Sequence, residues 1–160
     1  MKKHPEIVKH KLFKIIGECG DNLNMETYVV GGWVRDSLLK RSLDTIEFDI
    51  VCDKNGIILA KKVAKQLNIH KVTVYKNFGT AAITYGNIKI EFNGARRESY
   101  TKSSRNPNIT QGTIEDDQKR RDFTINAMLI SINKHNYGEF TDPFNGMKDL
   151  EHKIIKTPLD

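Results

Sequence analysis

Apolar residues recur at two periods along this chain, and the changes of period mark out its elements. Ile7, Leu12, Ile15 and Ile16 fall at helical spacing behind the polar start MKKHPE, which predicts an amphipathic helix. Tyr28, Val29 and Val30 are aromatic or β-branched and predict a strand over 27–31. Val34, Leu38 and Leu39 return to helical spacing, so a helix is expected from about 33 to 40. TIEFDIVC (45–52) alternates apolar and polar positions and reads as a strand. In GIILAKKVAKQLN (56–68), Ile58, Leu59, Val63 and Leu67 share one helical face. KVTVYK, TAAITYG and IKIEFNG are three short strands, punctuated by Gly79 and by Gly86–Asn87, the latter a hairpin-turn signal.

The pattern then breaks. Residues 96–112 hold only Tyr100 and Ile109 as sizeable apolar groups, which predicts a long, mobile loop of the kind that often carries function. Thr113 with Asp116 three residues on resembles a helix start, and the helix is expected to run through DDQKRRDFTINAMLISI (116–132). A Pro-Phe-Asn-Gly turn and a short amphipathic segment close the chain. Three consecutive strands imply antiparallel pairing. The expected class is α+β, with a mixed, largely antiparallel sheet of about five strands flanked by helices.

Length and composition narrow this further. A chain of 160 residues fits one domain, with room for a short piece of a second. Lys plus Arg number 26 and Asp plus Glu 20, a net charge of +6, which suits an anionic partner such as nucleotide or RNA and equally suits solubility. Cys19 and Cys52 form no C-x-x-C pair and read as two reduced thiols of a cytoplasmic protein. No apolar run approaches the roughly 20 residues of a membrane span. The charged start lacks the uninterrupted apolar core of a signal peptide.

Three stretches carry candidate chemistry. Gly31 and Gly32 join a strand to a helix, where they allow a sharp turn and leave backbone N–H groups open to a phosphate; a tight turn without ligand is the plainer alternative. Glu47 and Asp49 lie two apart on a strand and so share a face, opposite Ile46, Phe48 and Ile50. Two neighbouring carboxylates repel unless a cation lies between them, and hard oxygen ligands suit Mg²⁺. Glu91, on another strand, completes a three-carboxylate cluster if the strands are neighbours. Such a cluster can hold two Mg²⁺ ions that activate a hydroxyl and stabilise a leaving pyrophosphate. A solvated edge strand explains the same acids without function. One of Arg120 and Arg121 has the fork geometry for a triphosphate, and Asn126 has the reach for a ribose hydroxyl; Arg35 is a further phosphate candidate. Exposed helix arginines are the commoner occurrence.

Together, GGWVRD (31–36), EFD (47–49), IEFNGAR (90–96), TIEDDQKRRDFTINAM (113–128) and DPFNG (142–146) resemble the catalytic head of the class II tRNA nucleotidyltransferases that add CCA, the branch shared with bacterial poly(A) polymerases in the polymerase-β-like nucleotidyltransferase superfamily. The resemblance runs from about residue 26 to the end. It implies a head over 26–140, preceded by a helical segment (1–25) and followed by the start of a connection to a neck domain (141–160). It implies Mg²⁺-dependent transfer of CMP and AMP from CTP and ATP to the 3′ end of tRNA. Glu47 and Asp49 stand where the family's metal-binding acids lie, and Glu91 at the third, catalytic carboxylate. Gly31, Gly32, Arg35 and Arg121 stand at nucleotide-contacting positions, with Asp122 and Asn126 in the same late motif. A poly(A) polymerase head and a non-catalytic nucleotide- or RNA-binding module are the alternatives.

Three departures accompany the resemblance. The first acid is Glu47 rather than Asp. The segment before it is long and brings in Asp44 as a rival first ligand. Trp33 stands where a small residue is common. No Glu-Asp-x-x-Arg stretch, the family's base-selecting motif, is present, so the chain reads as a head without the base-selecting and tRNA-binding domains.

Overall fold

The computed structural model describes residues 2–41, 46–99, 102–106 and 108–159. Among these, α1 (Lys11–Asn22), β1 (Thr27–Val30), α2 (Gly32–Leu38), β2 (Ile46–Cys52) and α3 (Gly56–Gln66) come first. β3 (Thr73–Tyr75), β4 (Thr80–Tyr85) and β5 (Ile88–Gly94) follow, then β6 (Arg96–Ser99), β7 (Asn108–Gln111) and α4 (Ile114–Lys119). β8 (Leu129–Ser131), β9 (Phe140–Thr141) and α5 (Gly146–Glu151) complete the order. Seven strands form one sheet in the order β3-β4-β5-β2-β1-β8-β9. All its pairs are antiparallel except β2 with β5, which run parallel. The class is the expected α+β with a mixed, largely antiparallel sheet; the strand number exceeds the expected five.

One sheet face carries the main core. The 3.6-residue spacing of α1 puts Leu12, Phe13 and Ile16 on its buried side. α3, capped by the Asn55 side chain, which accepts from the Ile57 and Ile58 amides, buries Leu59, Ala60 and Val63. These meet Phe48, Ile50, Ile90 and Phe92 from the two central strands. Phe13 and Phe48 stack with centroids 4.2 Å apart, and Trp33 lies edge-on to Phe48 at 4.8 Å. The Trp33 indole also donates to the Ile7 carbonyl at 3.0 Å, which ties α2 to the N-terminal segment and gives the unusual Trp a packing role. Gly17 lets α1 approach the sheet closely: a Cβ there would lie 1.8 Å from the Ile132 carbonyl oxygen. The other sheet face holds a smaller apolar group, Val30, Val51, Ala95 and Leu129, against which Ile114 of α4 packs.

Two expectations are corrected. The segment 96–112, expected as a loop, contains the hairpin β6–β7, in register from Arg96↔Gln111 to Ser99↔Asn108. Backbone pairing there needs no apolar side chains. Ion pairs anchor β6 instead: Arg96 pairs with Glu98 along the same strand at 2.9 Å, and Arg97 with Asp116 of α4 at 3.0 Å. The helix expected to run to 132 stops at Lys119. Its cap is as expected: the Thr113 hydroxyl accepts from the Asp116 amide and the Asp116 carboxylate accepts from the Thr113 amide. Beyond it, Thr124–Asn126 form a single 3₁₀ turn and Leu129–Ser131 become β8, buried on both faces beside β1. An apolar run covered on both sides has no alternation to distinguish it from a helix, and sheet pairing decides the outcome. Gly86, at φ +60°, makes the expected β4–β5 turn. Among the described residues no helix is long and apolar enough to cross a membrane.

Candidate active site

The parallel pairing of β2 and β5 sets Asp49 directly beside Glu91, and Val30 of β1 lies on the other side of Asp49. The strand period turns both acids to the face away from the main core, because Phe48, Ile50, Ile90 and Phe92 take the core side. Asn93, two residues past Glu91, shares that face. Its amide nitrogen donates to Asp49 Oδ1 at 3.1 Å and to Glu91 Oε1 at 3.3 Å. Its oxygen accepts from the Thr80 hydroxyl at 2.7 Å.

The Gly31–Gly32 turn follows β1 and lies between two side-chain networks. Gly31 has φ +75°, and a Cβ there would stand 3.2 Å from Asp49 Oδ2. A side chain at this position is therefore opposed both by the backbone conformation and by the carboxylate. A Cβ on Gly32 would meet Arg35 Nη2 at 3.4 Å. On the Gly31 side, the Arg121 guanidinium lies 3.7 Å from Asp49 and 3.2 Å from Asp117. On the Gly32 side, Arg35 donates to both oxygens of Asp36 and to the Asn126 side-chain oxygen at 2.7 Å. The Asn126 amide in turn donates to Asp122 at 3.0 Å. Arg35, Asn126 and Asp122, distant in sequence, thus form one chain of hydrogen bonds that joins α2 to the 3₁₀ turn.

Asp117 is the hub of the first network. It is fully buried on α4 and accepts from Arg120 Nε and Nη2 and from Arg121 Nη2. It also accepts from the Arg96 backbone amide, which fixes the start of β6. Arg120 turns from the carboxylate pair toward Asp117 and Glu98; Arg121 faces the pair. The Arg121 Nε is buried and, among the described residues, has no partner. The sequence reading passed over Asp117, Asp36 and Asn93. Asp117 precedes Arg120 and Arg121 by three and four residues, the spacing at which helix side chains meet, and Asn93 follows Glu91 by the strand period. Both signals were available.

Burial pushes the Asp49 carboxyl up to about 6, against the pull of Arg121; Glu91 and Asp117 add to the rise and the Asn93 hydrogen bond opposes it. Asp49 is thus a carboxylate short of positive charge, which together with Glu91 fits a hard divalent cation. Glu47 lines the same polar cleft, about 90 Å³, with Asp49, Lys89 and Glu91, but its side chain is exposed and its register partner is Lys89. Among the described residues, no three Asp, Glu, His or Cys side chains stand close enough to hold a metal together. Asp44, the rival first ligand, lies outside the described residues.

Comparison with known proteins bears on this arrangement. The family described as the Poly A polymerase head domain matches residues 27–156. An A-adding tRNA nucleotidyltransferase of Aquifex aeolicus is 41% identical over 134 residues, 82% of this chain and 16% of that protein. One from Halalkalibacterium halodurans is 37% identical over 147 residues, 91% of this chain and 34% of that protein. The chain therefore spans about a third or less of the length of these two relatives. Among solved structures, the Thermotoga maritima CCA-adding enzyme complexed with tRNA superposes with a TM-score of 0.78 at 33% identity, over 95% of this chain and 34% of that one. A tRNA nucleotidyltransferase complexed with a primer tRNA and an incoming ATP analogue gives a TM-score of 0.77 at 37% identity, over 89% of this chain and 38% of that one. This chain belongs to the Poly A polymerase head-domain family, whose polymerase-β-like fold it shares with the heads of A-adding and CCA-adding tRNA nucleotidyltransferases.

Proposed function

We propose that this chain is the catalytic head of a nucleotidyltransferase that adds CMP and AMP, from CTP and ATP, to the 3′ end of tRNA. One observation carries the reading: Asp49 and Glu91 are register neighbours beside the Gly31–Gly32 turn, with Arg121 3.7 Å from Asp49. Carboxylates for a cation and a guanidinium for a phosphate thus flank a backbone turn without side chains. The ion would be Mg²⁺, which Asp49 and Glu47 would hold and which would supply charge neutralisation at the triphosphate. Arg121 and Arg35 orient phosphate oxygens, and the unpartnered Arg121 Nε supports that role. Asn126, oriented by Asp122, addresses the ribose. The RNA 3′-oxygen forms a bond to the α-phosphorus, the α–β bridging bond breaks, and pyrophosphate leaves. The hydroxyl proton passes to Glu91.

The domain division belongs to the same proposal. Residues 1–25 form a helical segment of the head, 26–140 the catalytic head, and 141–160 the start of the connection to a neck domain. Exposed Ile154, Ile155 and Leu159 at that end support a packing surface for further structure. The cytoplasm is the proposed compartment: Cys19 and Cys52 are buried and unbridged, and burial pushes the Cys52 thiol up to about 11, as expected of inert thiols in reducing surroundings.

The exposed Glu47 favours a second reading, a non-catalytic nucleotide- or RNA-binding module. The test is pyrophosphate release and primer extension by the protein, given tRNA lacking its terminal nucleotides, CTP, ATP and Mg²⁺. Extension by one to three nucleotides supports the proposal. A long A-tail identifies a poly(A) polymerase, and nucleotide binding without pyrophosphate release identifies the module.

A further inference from the structure

The proposed chemistry needs Asp49 held with an oxygen free for a cation and Glu91 beside it with an oxygen free for a proton, and two like charges on adjacent strands do not arrange themselves so. We propose that Asn93 is the positioning residue of this carboxylate pair, and that Thr80 fixes the orientation of its amide. The inference rests on reading the pair as part of a divalent-cation site.

Asn93 is 8% exposed, and its polar atoms are accounted for in one way only. Ionised carboxylates accept and cannot donate, so the atom facing Asp49 Oδ1 at 3.1 Å and Glu91 Oε1 at 3.3 Å is the amide nitrogen. Its two hydrogens serve one carboxylate each. The amide oxygen then faces Thr80, its register partner on β4, whose hydroxyl donates at 2.7 Å. The competing acceptor for that hydroxyl, the Phe78 carbonyl, is farther at 3.3 Å. Three neighbouring strands therefore cooperate: β4 orients the amide, β5 carries it with Glu91, and β2 presents Asp49. The clamp occupies one oxygen of each carboxylate and leaves Asp49 Oδ2 and Glu91 Oε2 uncommitted to it. Asp49 Oδ2 is the atom nearest Gly31 and the atom facing Arg121. Asn93 thus acts through the acids rather than on substrate, and groups that orient metal ligands typically affect metal affinity about 10–100-fold.

The test is Mn²⁺ binding to the full chain without nucleotide, followed by the electron paramagnetic resonance signal of the free ion, alongside thermal melts. Asn93→Leu removes both donors without adding charge and should weaken Mn²⁺ at least about tenfold. Thr80→Val keeps the shape but loses the hydroxyl and should weaken it about threefold, whereas Thr80→Ser keeps the hydroxyl and should bind as wild type. A packing role alone predicts the reverse order, because Val fills the Thr site better than Ser. Mn²⁺ affinity of Asn93→Leu within twofold of wild type overturns the proposal, and so does equal behaviour of the two Thr80 variants, which decide the matter if Asn93→Leu does not fold. Asp49→Ala is the control for the underlying reading. If it binds Mn²⁺ as tightly as wild type, the cation site itself is wrong; if it alone loses binding, only the role of Asn93 falls.

Discussion

The two faces of the β2–β5 seam carry opposite chemistry from alternate residues of the same strands. On the core face, Phe48 lies beside Ile90 and Ile50 beside Phe92, all buried to within 1%. On the other, Asp49 lies beside Glu91 and Val51 beside Asn93. The first face gains stability from every contact, because apolar surface leaves water and nothing charged is desolvated. The second takes the Asp49 carboxylate out of water and sets Glu91 beside it, which raises the Asp49 pKa and opposes folding unless cations intervene. One strand can do both because its side-chain period is two: the packed face fixes register, and register fixes which acids meet. Stability is thus concentrated where no chemistry is proposed, and the proposed site is held by the fold against its own repulsion.

The sharpest way to break this comparison is to exchange the roles of adjacent residues. Asp49→Ala should reduce Mg²⁺-dependent transfer by the full-length protein more than about 10³-fold, with little change in melting temperature. Near-normal turnover by a well-folded variant would remove Asp49 from the site. Parallel Glu47→Ala and Asp44→Ala variants decide the first ligand: an inactive Asp44→Ala beside an active Glu47→Ala assigns that role to Asp44.

Phe48→Ala, one residue away, should do the reverse. Phe48 packs against Phe13 and Trp33, so truncation leaves a cavity in the aromatic cluster and costs about 3–5 kcal/mol in denaturant unfolding. A loss under about 1 kcal/mol would show that the core face is not where stability resides.

Asp117→Asn probes the linkage between faces and site. The carboxylate is fully buried and balances Arg120 and Arg121, so the amide leaves two guanidinium groups undercompensated. Loss of one partner of a buried ion pair is costly, and the retained shape moderates the effect to about 2–3 kcal/mol. Affinity for nucleoside triphosphate should fall as well, because Arg121 loses its anchor. Isothermal titration and urea melts of the same variant check both. Full affinity despite lost stability would separate Arg121 from the phosphates.

How much of this was legible follows the same division. The core face of β2 and β5 was readable because alternation is a one-dimensional signal. The shared face of Glu47 and Asp49 was readable too, and so was the candidacy of Glu91, although its adjacency to Asp49 depends on a parallel pairing of residues 42 apart in sequence. β8 was misread because Leu129–Ser131 is buried on both sides, which erases alternation. The β6–β7 hairpin was missed because backbone pairing joins its strands and ion pairs anchor β6, and neither leaves a hydrophobic trace. Asn93 and Asp117 did leave spacing signals, the strand period from Glu91 and the helical spacing to Arg120 and Arg121, but only three-dimensional contacts reveal the links of Asn93 to Asp49 and of Asp117 to the Arg96 amide.

The smallest predicted effect measures the cost of the charged face directly. The Asp49 carboxyl titrates near 6 in the folded chain, against an ordinary value of 3.8. The folded state therefore binds this proton more tightly than the unfolded state, and stability falls as pH rises from about 4 to about 6. Above that range the whole penalty is present; below it none remains. A carboxyl moved this far corresponds to about 3 kcal/mol, but the side chain is 35% exposed, and solvent screening reduces the expected cost to about 1 kcal/mol. Asp49→Asn has no charge to desolvate. It should melt about 2–4 °C above wild type at pH 8 without divalent ions, and the difference should close below about pH 4. Added Mg²⁺ should raise wild type alone, because only the carboxylate gains a cation. If Asp49→Asn is instead the less stable protein at pH 8, then Arg121 and Asn93 already compensate the charge, and the two faces of the seam both contribute to holding the fold.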